Sequence, residues 1–152
     1  MKIVSLADIA GLGGVLALGC FDYLHIGHHR YLRKAAELGP LFVSVTADQF
    51  VNKGPDRPYY SHDIRAEMIA DLAFVHCVII NYAPTELNVI ETLRPRYYCK
   101  GTEYAESNPV LDEARYLLHS YGGEIIFLDD EGKKYSSTEI IKNRRMLGAA
   151  KT

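Results

Sequence analysis

Residues 19–28 read Gly-Cys-Phe-Asp-Tyr-Leu-His-Ile-Gly-His and join a short apolar run to a helical pattern. Val15 to Gly19 is apolar, which is typical of a buried strand, and His28 to Leu38 carries apolar residues at helical spacing. His25 and His28 therefore fall where a strand changes into a helix. Because the first turn of a helix offers unpaired N–H groups and the positive end of its dipole, this position favours a phosphate group.

Strand-like and helix-like patterns alternate along the chain. The strand-like runs are Val15 to Gly19, Leu41 to Thr46, Cys77 to Asn81, Tyr97 to Lys100 and Glu124 to Leu128. The helical patterns are His28 to Leu38, Ser61 to Ala73, Thr85 to Leu93 and Val110 to Tyr121. This alternation predicts the α/β class, with a single doubly wound, Rossmann-like domain over residues 1–152 and a five-stranded parallel sheet.

Ligands of doubly wound folds bind beyond the carboxyl ends of the strands, where the strand order reverses. The histidine pair follows one such strand end. The connection from Ala47 to Tyr60 has no predicted element, and a loop of that length in a small domain indicates a function.

Composition excludes several classes of protein. The chain has 152 residues, 48% of them hydrophobic, which is enough for one packed domain. A formal charge of −2 without a basic run argues against a nucleic-acid partner. Cys20, Cys77 and Cys99 are too few for a disulfide framework or a zinc knuckle. We predict a cytoplasmic protein without a membrane partner, because Met1 to Gly14 is too broken by Asp8 for a signal peptide and no apolar run approaches about 20 residues.

Two other interpretations of His25 and His28 are open from these residues alone. They could be ordinary residues at a helix start, or they could bind zinc together with His29 and Asp22. Zinc requires three or four convergent ligands, and no further histidine or cysteine stands at a customary ligand spacing. These residues alone therefore argue against zinc and leave phosphate binding and an ordinary helix start both open, and we predict no metal site built from side chains.

Four further segments follow in order along the chain. They are Lys53 to Pro58 (KGPDRP), Ser61 to Arg65, Lys100 to Tyr104 (KGTEY) and Tyr135 to Ile141 (YSSTEII). Together with the H-x-G-H segment they resemble the H-x-G-H nucleotidyltransferase superfamily, which is cytidylyltransferase-like. Within it, the chain is most similar to the adenylyltransferase domain that activates heptose 1-phosphate, and glycerol-3-phosphate cytidylyltransferases are near relatives.

The resemblance implies an enzyme that transfers a nucleoside monophosphate from a triphosphate to a phosphorylated sugar or polyol and releases pyrophosphate. ATP and a heptose 1-phosphate are the implied substrates, and CTP with glycerol 3-phosphate or another polyol phosphate is the alternative. Mg²⁺ is implied to accompany the triphosphate, and the protein is implied to be a homodimer. A regulatory module that binds nucleotide without catalysis is an alternative of another class.

The same resemblance implies a role for each site residue. Catalysis falls to His25, His28 and Lys53, with the lysine directed at the β and γ phosphates. The implied nucleotide contacts are Gly19, Cys20, Phe21, Asp22, Gly27, Arg65, Lys100, Gly101, Ser136, Ser137 and Thr138. The implied acceptor contacts are Asp22, Glu103 and Tyr104, with Glu103 standing where an aspartate is more usual.

Overall fold

A computed structural model describes residues 2–102 and 108–129 of the protein. The strands among these residues are β1 (Val15–Gly19), β2 (Leu41–Thr46), β3 (Val75–Asn81), β4 (Tyr97–Gly101) and β5 (Glu124–Leu128). The α-helices are α1 (Ile26–Ala36), α2 (His62–Ala70), α3 (Leu87–Leu93) and α4 (Pro109–His119). Short 3₁₀ helices occupy Leu6–Ile9 and Asp48–Phe50. The second lies in the connection between β2 and α2, so the prediction that this connection lacks any element was wrong.

The five strands form one parallel sheet in the order β3-β2-β1-β4-β5. The chain leaves β1 for β2 and β3 on one side, then returns to place β4 and β5 on the other. The order therefore reverses at the boundary between β1 and β4, which is where doubly wound folds bind their ligands. The predicted α/β, Rossmann-like architecture is confirmed.

Helices cover both faces of the sheet, and the side chains of β1 alternate between the two. Val15 and Ala17 pack in a cluster with α1 and α2, whereas Leu16 packs in a second cluster with α3 and α4. All three residues are at most 1% exposed. Burial on both faces explains why the strands read as continuous apolar runs rather than as alternating polar and apolar residues.

A crevice begins where β1 and β4 stop pairing. Their register runs from Val15 opposite Tyr97 to Ala17 opposite Cys99, although both strands continue for two more residues. The O–H of Tyr31, on α1, donates a buried hydrogen bond of 2.7 Å to the carbonyl of Cys99. Helix α1 is thus fastened to β4 at the point where the two strands separate.

Several element boundaries differ from the predicted ones for local reasons. Helix α1 begins at Ile26 rather than His28, because the side chain of His25 caps it. Helix α3 begins at Leu87 rather than Thr85, whose hydroxyl instead accepts a hydrogen bond from the Leu87 N–H at 3.5 Å. Ser61 caps α2 as its sequence position indicates. In the described part of the chain, no helix has the length and apolar character needed to cross a bilayer.

Candidate active site

His25 and His28 form a stacked pair at the start of α1. Their ring centroids are 3.8 Å apart and the planes are inclined by 23°. The backbone N–H of Gly27 donates to Nδ1 of His25 at 3.1 Å, and the N–H of His25 points to Nδ1 of His28 at 3.4 Å. The Nδ1 atom of each ring therefore accepts a backbone hydrogen bond at the helix cap.

This capping geometry fixes the tautomer of both imidazoles. Because Nδ1 accepts in each ring, a neutral His25 or His28 carries its proton on Nε2. Burial, then the neighbouring His25, then the charge of Lys53 lower the pKa of His28 to about 3. At neutral pH, His28 is an uncharged ring with one N–H donor on its Nε2 atom.

The lowered pKa of His28 predicts a pH-dependent stability. Between its ordinary value of 6.5 and about 3, the unfolded chain binds the proton and the folded chain does not. The contribution of uncharged His28 to the free energy of unfolding is therefore fully present above pH 6.5 and is lost as the pH falls, by up to about 1.4 kcal/mol per pH unit. Urea unfolding at a series of pH values should show a shallower acid decline for His28→Gln than for the native chain.

His119→Gln supplies the control for this experiment, since His119 is an exposed histidine in the last turn of α4. Its acid decline should parallel that of the native protein. Parallel curves for His28→Gln as well would contradict a depressed pKa at His28.

Phe21 packs against the histidine pair through His28. Its buried ring meets the ring of His28 edge-on, with centroids 5.3 Å apart. A Cβ atom added to Gly19 would lie 2.9 Å from the Phe21 ring, so only glycine leaves the space that this ring occupies. Gly19 and Phe21 thus shape the site from within, and their predicted nucleotide contacts stay predictions.

Asp22 is the polar centre of the turn between β1 and α1. The residue is 1% exposed, and its neighbours Phe21 and Tyr23 adopt the left-handed conformation with φ of 54° and 51°. Oδ2 accepts from Nε of Arg57 at 3.0 Å and from the N–H of Tyr59 at 2.8 Å. Oδ1 accepts from the N–H of Tyr60 at 3.1 Å. The carboxylate is engaged with the loop that precedes α2.

Arg65 lies inside the protein, fully buried, instead of on an exposed helix face. Its Nη1 donates to the carbonyl of Cys20 at 2.7 Å and its Nε to the carbonyl of Tyr60 at 2.9 Å. Nη2 donates to Oδ1 of Asp48 at 2.7 Å. In this structure the guanidinium joins β1 to the following loop, and the predicted phosphate contact stays a prediction.

Lys100 and Gly101 end β4 on the far side of the crevice. Nζ of Lys100 lies 5.6 Å from the ring centroid of Tyr98, whose O–H donates to Oε1 of Glu86 at 2.9 Å. Burial lowers the pKa of Lys100, and the charge of Glu86 opposes that effect. The structure thus brings a second lysine to the rim, opposite the loop that carries Lys53.

Residues 16–143 match the Cytidylyltransferase-like family model, which covers most of the chain. The chain belongs to the cytidylyltransferase-like family. Its activity class is therefore nucleotidyl transfer, as the ordered motifs predicted.

Curated relatives of this cytidylyltransferase-like chain include two proteins named Bifunctional protein HldE. The one from Syntrophotalea carbinolica is 39% identical over 132 residues, which cover 84% of this chain and 26% of the relative. The one from Geobacter sulfurreducens is 36% identical over 146 residues, covering 92% of this chain and 28% of the relative. The chain thus spans little more than a quarter of these relatives.

A solved structure from Thermoplasma volcanium, a lipopolysaccharide core biosynthesis protein, shares the fold of this cytidylyltransferase-like chain. Its TM-score is 0.66 at 23% identity, and the match covers 77% of this chain and 96% of that one. This likeness agrees with the five-stranded parallel sheet.

The structure brings together part of the predicted cytidylyltransferase-like site. His25, His28 and the residues from Gly19 to Gly27 lie at the end of β1, and Lys53 is near enough to His28 for its charge to act on that ring. Five predicted site residues lie outside the described ranges, and nothing is assigned to them. They are Glu103, Tyr104, Ser136, Ser137 and Thr138.

Sequence reasoning missed Arg57, Asp48 and Glu86 as parts of this region. Arg57 stood in the quoted KGPDRP segment but had no assigned partner, and Asp48 opens a connection that was predicted to lack structure. Their ion pairs with Asp22 and Arg65 join residues far apart along the chain. The available signal was an acidic residue directly after β1, Asp22, and a basic residue on the long connection before α2, Arg57, which together could have indicated an ion pair.

Proposed function

We propose that the chain transfers the adenylyl group of ATP to a heptose 1-phosphate, forming an ADP-heptose and pyrophosphate, and that residues 1–152 act as a nucleotidyltransferase domain. The observation that carries this proposal is the stacked pair of His25 and His28 at the start of α1, beside the crevice between β1 and β4. Family membership supports nucleotidyl transfer. The choice of ATP and heptose 1-phosphate rests on the resemblance of the KGPDRP and KGTEY segments to the adenylyltransferase domain that activates heptose 1-phosphate.

The reaction requires no nucleophile from the protein. A phosphate oxygen of the acceptor attacks the α phosphorus of the triphosphate, and the bond from that phosphorus to the oxygen of the β phosphate breaks. The electron pair of that bond leaves with pyrophosphate. Catalysis then consists of holding the two substrates in line and stabilising the charge that spreads over the phosphate oxygens.

His25 and His28 supply donors to those oxygens. Both rings are fixed by the helix cap, so their Nε2–H groups are oriented before substrate arrives. Fixed donors in a site shielded from water stabilise a developing anion more than mobile water does. Because His28 is uncharged, the positive charge at the site comes from other side chains, and we place Lys53 beside the departing pyrophosphate.

Mg²⁺ fits this site as a companion of the triphosphate. Within residues 2–102 and 108–129, no group of three histidine, cysteine or acidic side chains forms a metal cage. Asp22, the carboxylate beside the histidine segment, already accepts hydrogen bonds from Arg57 and from two backbone amides. Phosphate oxygens and water would hold the ion, which supplies charge neutralisation when bound.

Pyrophosphate release decides between the candidate substrates. We expect release with Mg²⁺, ATP and a heptose 1-phosphate, and little with CTP under the same conditions. Release only with CTP and a polyol phosphate would replace ATP by CTP in the proposal. Nucleotide binding by calorimetry without turnover on any sugar or polyol phosphate would reject catalysis and leave a regulatory module. The predicted homodimer is checked on the same sample, and a monomer mass in sedimentation would reject it.

A further inference from the structure

A buried carboxylate ties the loop before α2 to the end of β1. The 48–60 loop, defined here as residues 48–60, lies between β2 and α2 and carries Lys53 near its middle. Three of its groups converge on Asp22: the Nε of Arg57 and the N–H groups of Tyr59 and Tyr60, at 2.8 to 3.1 Å. The side chain of Asp22 is 0% exposed and that of Arg57 is 8% exposed, so water screens this ion pair little.

Arg65 fastens the same loop at its beginning. Its guanidinium bonds Asp48 at 2.7 Å and the carbonyl of Cys20 at 2.7 Å. The backbone N–H of Asp48 also donates to Nδ1 of His62, on α2, at 3.1 Å. The loop is therefore held at both ends, and the exposed stretch between them carries the lysine.

Fixed ends restrict where Lys53 can go. A flexible loop samples many positions, and each restraint on its ends removes part of that freedom. The charge of Lys53 acts on His28, so the restrained loop holds the lysine on the histidine side of the crevice. Without Asp22, the second half of the loop would lose an ion pair and two backbone hydrogen bonds together.

We propose that Asp22 and Arg57 form a buried clamp that positions Lys53 beside the histidine pair, so that Asp22 is a positioning residue and not a ligand of substrate or metal. The functional part of this inference rests on the role proposed above for Lys53; the structural part does not. A carboxylate has about four acceptor sites, and the loop fills at least three of them, two on Oδ2 and one on Oδ1. A metal ion that bound both oxygens would have to displace Arg57 or the N–H of Tyr59 from Oδ2.

The chemistry of Arg57 makes the clamp testable by a conservative change. Among the described residues, its Nη2 atom is buried and has no hydrogen-bond partner, so the link to Asp22 runs through Nε. Lysine at position 57 can keep a single charged donor, whereas glutamine keeps no charge. Arg57→Lys should therefore preserve part of what Arg57→Gln removes.

The first measurement is the rate at which trypsin cuts after Lys53 in the folded protein, followed by the masses of the two fragments. We expect Asp22→Asn and Arg57→Gln to raise this rate at least about tenfold, because cleavage follows the population of the open loop. Arg57→Lys should fall between them and the native chain. Asp56→Asn is the matched control: it removes an exposed carboxylate of the same loop, and asparagine tolerates the φ of 63° there.

Equal rates for the native chain and both clamp variants would overturn the proposal. So would an equal increase in Asp56→Asn, since that would show a general effect of lost charge. If trypsin cuts the Asp22→Asn variant at every lysine and arginine because that variant fails to fold, the cleavage rates of Arg57→Lys and Arg57→Gln decide whether the clamp restrains the loop. This readout needs no substrate, so it stands even if the proposed adenylyl transfer fails.

The second measurement asks whether the clamp acts through Lys53. In the native background we expect Arg57→Gln to lower kcat/KM about 10- to 100-fold, as a small displacement of a catalytic group does. In a Lys53→Met background the same change should have almost no effect. Additive losses, or a changed Mg²⁺ requirement in Asp22→Asn, would overturn the proposal and make Asp22 a direct ligand.

Discussion

Replacing His28 with alanine is expected to lower kcat for pyrophosphate release by about 100- to 1000-fold, the usual cost of one fixed donor to a developing oxyanion. The imidazole is stacked on His25 and buried against Phe21, so no water molecule can take its place in the same orientation. The KM for the acceptor should change little, because the lost interaction belongs to the transition state.

Two companion variants show whether the loss comes from the donor or from packing. His28→Gln retains an N–H near the position of Nε2 and should recover part of the rate. His29→Asn changes the adjacent histidine, which packs edge-on against Phe74 and lies outside the stacked pair, and should keep nearly full activity. A native rate in His28→Ala, within about twofold, would remove His28 from the proposed mechanism.

Replacing Arg65 with methionine should destabilise the protein by about 3 to 5 kcal/mol, which is the range for breaking a buried ion pair from one side. The change leaves the carbonyls of Cys20 and Tyr60 without their donor and Asp48 without its cation. Because Asp48 is partly exposed, water compensates part of its loss, and the lower end of the range is expected.

Urea unfolding and the thermal midpoint measure this effect. A loss of that size corresponds to a midpoint lower by roughly 10 °C in a domain of this length. Arg33→Met is the matched control, since Arg33 is an exposed arginine on α1, and it should shift the midpoint by less than about 2 °C. Equal stability of Arg65→Met and Arg33→Met would show that the hydrogen bonds of Arg65 make no net contribution to the free energy of unfolding.

Local patterns were sufficient to predict most of the secondary structure. Strands β1 and β2 have the bounds predicted from their apolar runs, because a strand buried on both faces leaves an unbroken signal. The bounds of β5 were also predicted, although this edge strand is only partly buried. The start of α1 was placed two residues late. Histidine is an unusual capping residue, and only the structure shows that the ring of His25 accepts from Gly27.

The candidate site was predictable only where its residues are neighbours in sequence. The pair His25 and His28 could be recognised because four residues suffice to define it. The pairing of Asp22 with Arg57 spans 35 positions, and its existence depends on how the loop returns across the end of β1. The inward direction of Arg65 likewise depends on how α2 packs against β2 and β3, which the pattern of α2 alone does not specify.

The hydrogen bond from Tyr31 to the carbonyl of Cys99 divides the site into a stationary half and an adjustable half. It locks α1, with its two histidines, to β4, so the distance from the imidazoles to Lys100 is set by the core of the protein. Among the described residues, the exposed stretch between the two fastened ends of the 48–60 loop is then the part of the site that can still adjust to a bound triphosphate. Substrates of different size would be accommodated from the side of Lys53, while the side of the histidines stays fixed.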